Sequence, residues 1–225
     1  MTRPWQLAFG LLLTALAGYV DALGFIRLSG LYTSFMSGNT TQLAVSLGQG
    51  TVARSTMPAL LVIMFLAGSI LGSGLSMVTP MRWATPVVLT YEALLIVGAL
   101  AFGLATPDLG LASLFMALAM GSQNAVLGSV EGFRAGTTFV TGALHSLGQN
   151  IAAALTGRGA VFAWIGDAAV WAALLMGAFC GAVAYDALNL YALILPAGLA
   201  GLLAGAAALF TVARSPQPPA ASSAQ

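Results

Sequence analysis

The chain has 225 residues, of which 59% are hydrophobic and only 6% charged, with a net charge of +1 and a mean hydropathy of +0.95. An ordinary soluble domain carries about 25% charged residues, so a soluble globule is excluded and a polytopic helical membrane protein remains. All seven basic side chains are arginine, and there is one histidine and one cysteine, which rules out a P-loop, Schiff-base chemistry, an internal disulfide and a Cys/His metal cluster.

A crossing helix needs roughly 20 mostly apolar residues. Residues 5–26 form the first such stretch. Arg3 precedes it as in a signal peptide, but the run is too long, carries Asp21 and lacks a small-residue cleavage pattern, so it reads as a retained helix. Residues 31–49 are long enough to cross, yet contain Thr33, Ser34, Ser37, Asn39, Thr40, Thr41, Gln42, Ser46 and Gln49. Hydrocarbon cannot satisfy such groups, so this segment must be buried in protein or line a wet cavity. Residues 57–78 and 86–105 are apolar spans, the second holding Glu92 beside Tyr91. Residues 109–130 form a further span carrying Gln123 and Asn124, and Glu131 and Arg134 beyond it read as a loop pair or anchor. Residues 137–155 are again polar, with Thr138, Thr141, His145, Ser146, Gln149 and Asn150. The glycines Gly38 and Gly142 invite breaks in the two polar segments. Residues 162–185 and 190–212 are the last spans, and the Pro-, Ala- and Ser-rich tail 214–225 reads as disordered. Trp5, Trp83 and Trp164 fall near helix starts, as in an aromatic belt.

The order of blocks repeats. Gly18-Tyr19-Val20-Asp21-Ala22 aligns with Gly121-Ser122-Gln123-Asn124-Ala125, and Thr33-Ser34-Phe35-Met36-Ser37-Gly38 with Thr137-Thr138-Phe139-Val140-Thr141-Gly142. Ser46-Leu47-Gly48-Gln49 aligns with Ser146-Leu147-Gly148-Gln149, and the Gly68/Gly72 pair with Gly177/Gly181. Glycines at that spacing let helices approach closely in lipid and are read as packing residues. The expected fold is therefore an all-α membrane bundle of two homologous repeats, 1–106 and 107–213, with six full spans plus two polar broken or re-entrant helices. If the polar segments cross, the repeats are parallel; if they are re-entrant, the repeats are inverted. With the N-terminus inside, the re-entrant arrangement leaves only Arg27 and Arg54 outside, whereas the crossing arrangement leaves Arg27, Arg82 and Arg134 outside. The positive-inside rule leans towards inversion by one arginine.

Asp21 lies late in a span, where an acid faces protein or water. It reads either as a coupling carboxylate for a proton or cation, or as a structural acid that caps the polar segment or pairs with Arg27. Asn124 is its counterpart, with Gln123 as a second amide. Ser37, Asn39, Thr40 and Thr41 in the first polar segment and Thr141 and His145 in the second are the nominated contacts for a small polar solute, because broken helices free backbone N–H and C=O groups. Hydroxyls bonding back to their own helix are the competing explanation. His145 could relay protons. Glu92 is weighed as an acid near the interface or facing the cavity, and Asp167 as a structural acid at a helix start.

Gly18-Tyr19-Val20-Asp21-Ala22-Leu23-Gly24-Phe25 followed by Met36-Ser37-Gly38-Asn39-Thr40 resembles the YoaK-type family of bacterial integral membrane proteins, some of which are labelled permeases. The second-half signature is similar, and the resemblance covers all but the tail. Ser37 stands where the family pattern has threonine, and keeps the hydroxyl. The resemblance implies an inner-membrane location without a defined substrate. The expected function is a small secondary transporter or permease with a midplane site between the repeats; the alternative is a membrane-embedded structural or accessory protein. With no nucleophile–base pair and no metal cluster in sight, an enzyme, a cofactor and a bound metal are not expected. The expected partners are the lipid bilayer and a small polar solute; a homo-oligomer stays open, and with no basic run nucleic acid is not expected.

Overall fold

The structure, a computed structural model, describes residues 4–106, 109–127 and 140–213. Glu131, Arg134, Thr137, Thr138 and the tail lie outside the described residues. The described chain folds into eight α-helices: α1 (Pro4–Arg27), α2 (Met36–Gly48), α3 (Val52–Val78), α4 (Met81–Ala105), α5 (Leu109–Leu127), α6 (Val140–Leu155), α7 (Ile165–Leu188) and α8 (Ile194–Ala213). A 3-10 turn, Asn189–Leu193, joins the last two.

The six apolar stretches become α1, α3, α4, α5, α7 and α8. Helices α3 and α4 begin several residues before the predicted spans. Arg54 and Arg82 depress hydropathy there without opposing helix formation. The polar segments are helices as well, but short ones. At about 1.5 Å per residue, the 13 residues of α2 and 16 of α6 reach roughly 20 and 24 Å, against about 30 Å of hydrocarbon. Gly38 and Gly142 do not break them; both sit in a first turn. Gly38 instead makes room for the Phe35 and Tyr32 rings, which a Cβ would meet at 2.9 and 3.1 Å.

Contacts give each helix a direction. Gly177 and Gly181 of α7 meet the Ala15 and Tyr19 backbone of α1 in the same order, so these helices are parallel. Gly68 and Gly72 of α3 meet Leu118 and Ser122 of α5 in the same way. Helix α4 is antiparallel to α5, with Gly98 on Phe115 and Gly103 on Ala112. It is also antiparallel to α8: Gly103 meets Leu190 at one end, and at the other the Thr211 hydroxyl donates to the Arg82 carbonyl at 2.7 Å. The Trp5 ring stacks on Phe210, and the Tyr19 hydroxyl donates to the Ala192 carbonyl at 2.9 Å, so α1 is antiparallel to α8.

Two ends of the bundle follow. Helices α1, α4 and α7 start at the first end, and α3, α5 and α8 start at the second. Helix α2 lies between the finish of α1 and the start of α3, both at the second end, and packs along α3. Helix α6 lies between the finish of α5 and the start of α7, both at the first end, and packs along α7. The most extensive seams, α1 with α7 and α3 with α5, join the two ranges 1–106 and 107–213 rather than lying within either.

Helix α5 lies at the core, burying Met116, Ala119 and Met120 against Leu16, Val20 and Leu23 of α1 and Ile96 and Ala99 of α4. The outward faces of α3, α7 and α8 are apolar, for example Ile63, Ile70, Phe179, Leu202 and Leu209. Four apolar stretches are long enough to cross a membrane: Trp5–Arg27, Val52–Val78, Met81–Ala105, and Ile165–Ala213, which comprises α7, the turn and α8.

Candidate functional site

Asp21 lies about six residues, and so about 9 Å, before the end of α1. Past Arg27, Ser29 and Gly30 take positive φ values of 53° and 109°. This reverses the chain and sends it back along the helix it has just left. Gly24 permits the return, because a Cβ there would strike the Thr33 methyl group. Asp21 then holds the returning strand. Its Oδ1 accepts the backbone N–H groups of Thr33 (2.8 Å) and Ser34 (2.6 Å) and the Thr33 hydroxyl (3.0 Å), while Oδ2 accepts the Ser34 hydroxyl at 2.6 Å. Thr33 and Ser34 are fully buried, so without this carboxylate their N–H groups would lack acceptors. Asn39 adds a second clamp: its Oδ1 accepts the Tyr32 N–H at 3.0 Å and its Nδ2 donates to the Tyr32 carbonyl at 2.6 Å. Asp21 thus caps the polar segment, one of its two predicted roles.

The remaining nominated residues are placed differently. Ser37, Thr40 and Thr41 are exposed. The hydroxyls of Thr40 and Thr41 donate to the Met36 and Ser37 carbonyls of their own helix, at 2.8 and 3.0 Å. Asn124 donates to the Met120 carbonyl one turn back at 3.0 Å. Gln123 is fully buried and reaches across to the Leu13 carbonyl of α1 at 3.4 Å. Thr141 and His145 are exposed on α6 at the first end, whereas Asp21 and Asn39 come together towards the second. The nine residues therefore do not gather into one midplane site, because α2 and α6 return to opposite ends of the bundle. Asp167 is structural as expected: in the first turn of α7 it accepts Asn150 Nδ2 at 2.7 Å and ties α6 to α7.

Sequence reasoning undervalued Glu92. It sits near the middle of α4 and is completely buried, and neither carboxylate oxygen has a hydrogen-bond partner. On the same face lie Val88, Leu89, Ile96 and Ala99, all essentially sealed from solvent, so the acid interrupts an apolar ridge. Gly98 on Phe115 and Gly103 on Ala112 set the α4–α5 register, which brings Glu92 level with Gln123. An acid in a span with no visible cation was the available signal; its isolation is a property of packing. An outward-opening groove of about 230 Å³ between α1, α7 and α8, lined by Leu16, Tyr19, Gly177, Cys180 and Leu199 among others, is almost wholly apolar and offers nothing to a polar solute. No cluster of metal-ligating side chains occurs among the described residues.

A helical bundle with apolar outer faces and charges confined to helix ends or its interior is a multi-pass membrane protein in contact with the lipid bilayer. The chain belongs to the family described as "Protein of unknown function (DUF1275)", which matches residues 9–206 and includes the YoaK-type proteins. It is 37% identical to the UPF0700 transmembrane protein RA0705 of Rhizobium meliloti (strain 1021) over 198 residues, covering 86% of this chain and 81% of that protein. No solved structure matches the chain.

Proposed function

We propose that this protein is a small secondary transporter of the bacterial inner membrane, a permease for a small polar or anionic solute built from two inverted repeats. The observation that carries this reading is the opposed direction of corresponding helices. Helix α1 runs against α5, α3 against α7, and α4 against α8, while α2 and α6 dip in from opposite ends. On this reading the chain makes six crossings with two re-entrant segments, an organisation that secondary transporters use to alternate access about a midplane. The glycine seams support the duplication. Gly18 meets Leu174 as Gly121 meets Phe65, and Gly177 meets Ala15 as Gly68 meets Leu118. Arginine placement agrees with a cytoplasmic first end: Arg82 and Arg158 lie there and Arg3, Arg134 and Arg214 flank it in sequence, against Arg27 and Arg54 at the other.

The second reading, an accessory protein without transport, is favoured by the full engagement of Asp21 and Asn39 in holding the loop at 32–34. Counterflow in proteoliposomes across a panel of small anions, amino acids and sugars separates the two. Saturable flux of one solute class is the expected result, and absence of flux across the panel leaves the accessory reading standing.

A further inference from the structure

The sealed carboxyl of Glu92 is the group in this molecule that packing alone explains least. A leucine would fill the Val88–Leu89–Ile96–Ala99 ridge without a polar atom, yet an acid stands there with both oxygens unbonded. Such a group cannot remain an ion. An isolated carboxylate moved from water into an apolar interior takes up a proton instead, and a protonated carboxyl is the form an unpartnered site tolerates. Intramembrane acids kept at such a cost mark ion and proton pathways.

Among the described residues, nothing charged bonds to it. Helices α5 and α8, packed on this face, contain no titratable side chain among the described residues. On α3 the charged residue is Arg54, at the start of that helix, and in the 3-10 turn the titratable residue is the exposed Tyr191. On α4 itself, the half-buried Tyr91 is the adjacent residue, and Arg82 lies about ten residues, or about 15 Å, towards the first end. Helix α1 contributes Tyr19 and Asp21 beyond the immediate seam, each already bonded, Tyr19 to Ala192 and Asp21 to Thr33 and Ser34, and the buried Arg27 stands at its far end. The polar side chain at the level of Glu92 is Gln123, an amide that cannot exchange a proton. Asp21 is the poorer candidate, because both of its oxygens are already engaged by the Thr33 and Ser34 donors.

We propose that Glu92 is a proton-binding site: its carboxyl carries a proton in the sealed conformation seen here and exchanges it with water when the α4–α5–α8 seam opens. Its use in coupling a solute to a proton gradient rests on the transporter reading above; the site itself does not.

The protein reconstituted in liposomes and treated with dicyclohexylcarbodiimide tests this, because that reagent modifies protonated carboxyls in apolar surroundings. The carboxyl O–H adds across one C=N bond, forming a C–O bond and moving the proton to nitrogen. The acyl group then migrates to nitrogen as a stable N-acylurea, which mass spectrometry locates. The expected result is an adduct on Glu92 and none on Asp21, with a yield that falls as pH rises, and complete loss of the adduct in Glu92→Gln. Absence of a Glu92 adduct at every pH overturns the proposal. So does a yield independent of pH, or modification of Asp21 in its place. The wild-type measurement suffices if the variant does not fold, and a carboxyl C=O infrared band that shifts in heavy water is the second readout. A labelled Glu92 in a protein that moves no solute removes the transporter reading alone. Solute flux with an unlabelled Glu92 removes this proposal alone.

Discussion

Replacing Asp21 with alanine separates a clamp from a coupling group. The substitution strips acceptors from four donors. The Thr33 and Ser34 hydroxyls can turn to nearby carbonyls, but their backbone N–H groups are buried, with the residues 0% and 2% exposed, and cannot. A buried donor left without a partner costs about 1–3 kcal/mol, so the two together should destabilise the fold by about 2–6 kcal/mol, limited by the free energy of releasing the 28–35 loop. Asp21→Asn keeps an oxygen on both N–H groups and turns an amide towards the Ser34 hydroxyl oxygen, at a cost of about 1 kcal/mol. Unfolding midpoints in a denaturing-detergent titration, with proteolysis of the 28–35 loop as a local probe, measure both. A large loss for alanine and a small one for asparagine is expected. If both variants unfold with the wild type, the loop is not held by Asp21. If asparagine abolishes proton-driven accumulation without altering stability, Asp21 is the coupling group after all.

Other perturbations test other parts of the structure. Glu92→Leu removes a buried acid from an apolar ridge and should stabilise the fold by about 1–3 kcal/mol, read as a higher unfolding midpoint, while abolishing proton exchange; a lower midpoint in the same titration would show that the acid has a partner. Gly68→Val and Gly177→Val each drive a side chain into backbone, at Leu118 and Ala15 respectively, and should cost at least the 1–3 kcal/mol typical of overpacking, about equally at the two seams. Stability unchanged in either variant would mean that seam is not in close contact. In a Cys180→Ala background, cysteines replacing Thr51 and Thr156 should react with an impermeant maleimide from opposite sides of the membrane. Reaction from the same side is what eight crossings require.

Hydropathy located the apolar helices well because lipid imposes its demand locally: about twenty apolar residues are needed whatever the neighbours are. The Gly68/Gly72 and Gly177/Gly181 pairs were legible for a similar reason, since two small residues one turn apart suit close approach whatever the partner. The partners themselves were not legible. That Gly177 rests on Ala15 and Gly68 on Leu118 depends on contacts 162 and 50 residues away in the chain, which no local pattern encodes. The polar segments were half readable. Their composition set them apart from the apolar spans, but the burial expected of them is met by Thr33, Ser34, Asn39 and Ser46 and not by Ser37, Thr40, Thr41, Thr141 or His145, which are exposed; Asp21 as a cap was among the alternatives, because a carboxylate near a hydroxyl-rich segment has donors at hand. Which hydroxyls bond to their own helix, as Thr40 and Thr41 do, and which groups reach Asp21 was decided by the reversal at Ser29 and Gly30. Glu92 was the hardest of all. Its isolation is a statement about everything around it, and a sequence shows only that an acid stands in a span.

The crossed seams also determine what the two halves can do apart. In the range 1–106, α1 loses α7, its most extensive neighbour, and α3 loses α5, so both glycine faces would lie open. Only the α2–α3 and α3–α4 packing and the Asp21 clamp would remain, and the Glu92 ridge would lose α5 and α8 together. Glycine faces associate through close backbone packing rather than through exclusion of water, so an open face in lipid or detergent seeks another helix of matching shape. Fragments 1–106 and 107–225 expressed separately should therefore aggregate or be degraded, whereas co-expressed they should co-purify as a complex with the unfolding midpoint of the intact chain. Gly177→Val in the second fragment should weaken that complex, since it closes the face that receives α1. Two monodisperse, stable fragments with no tendency to combine would refute the interlocked arrangement, and with it the placement of Glu92 where the halves meet.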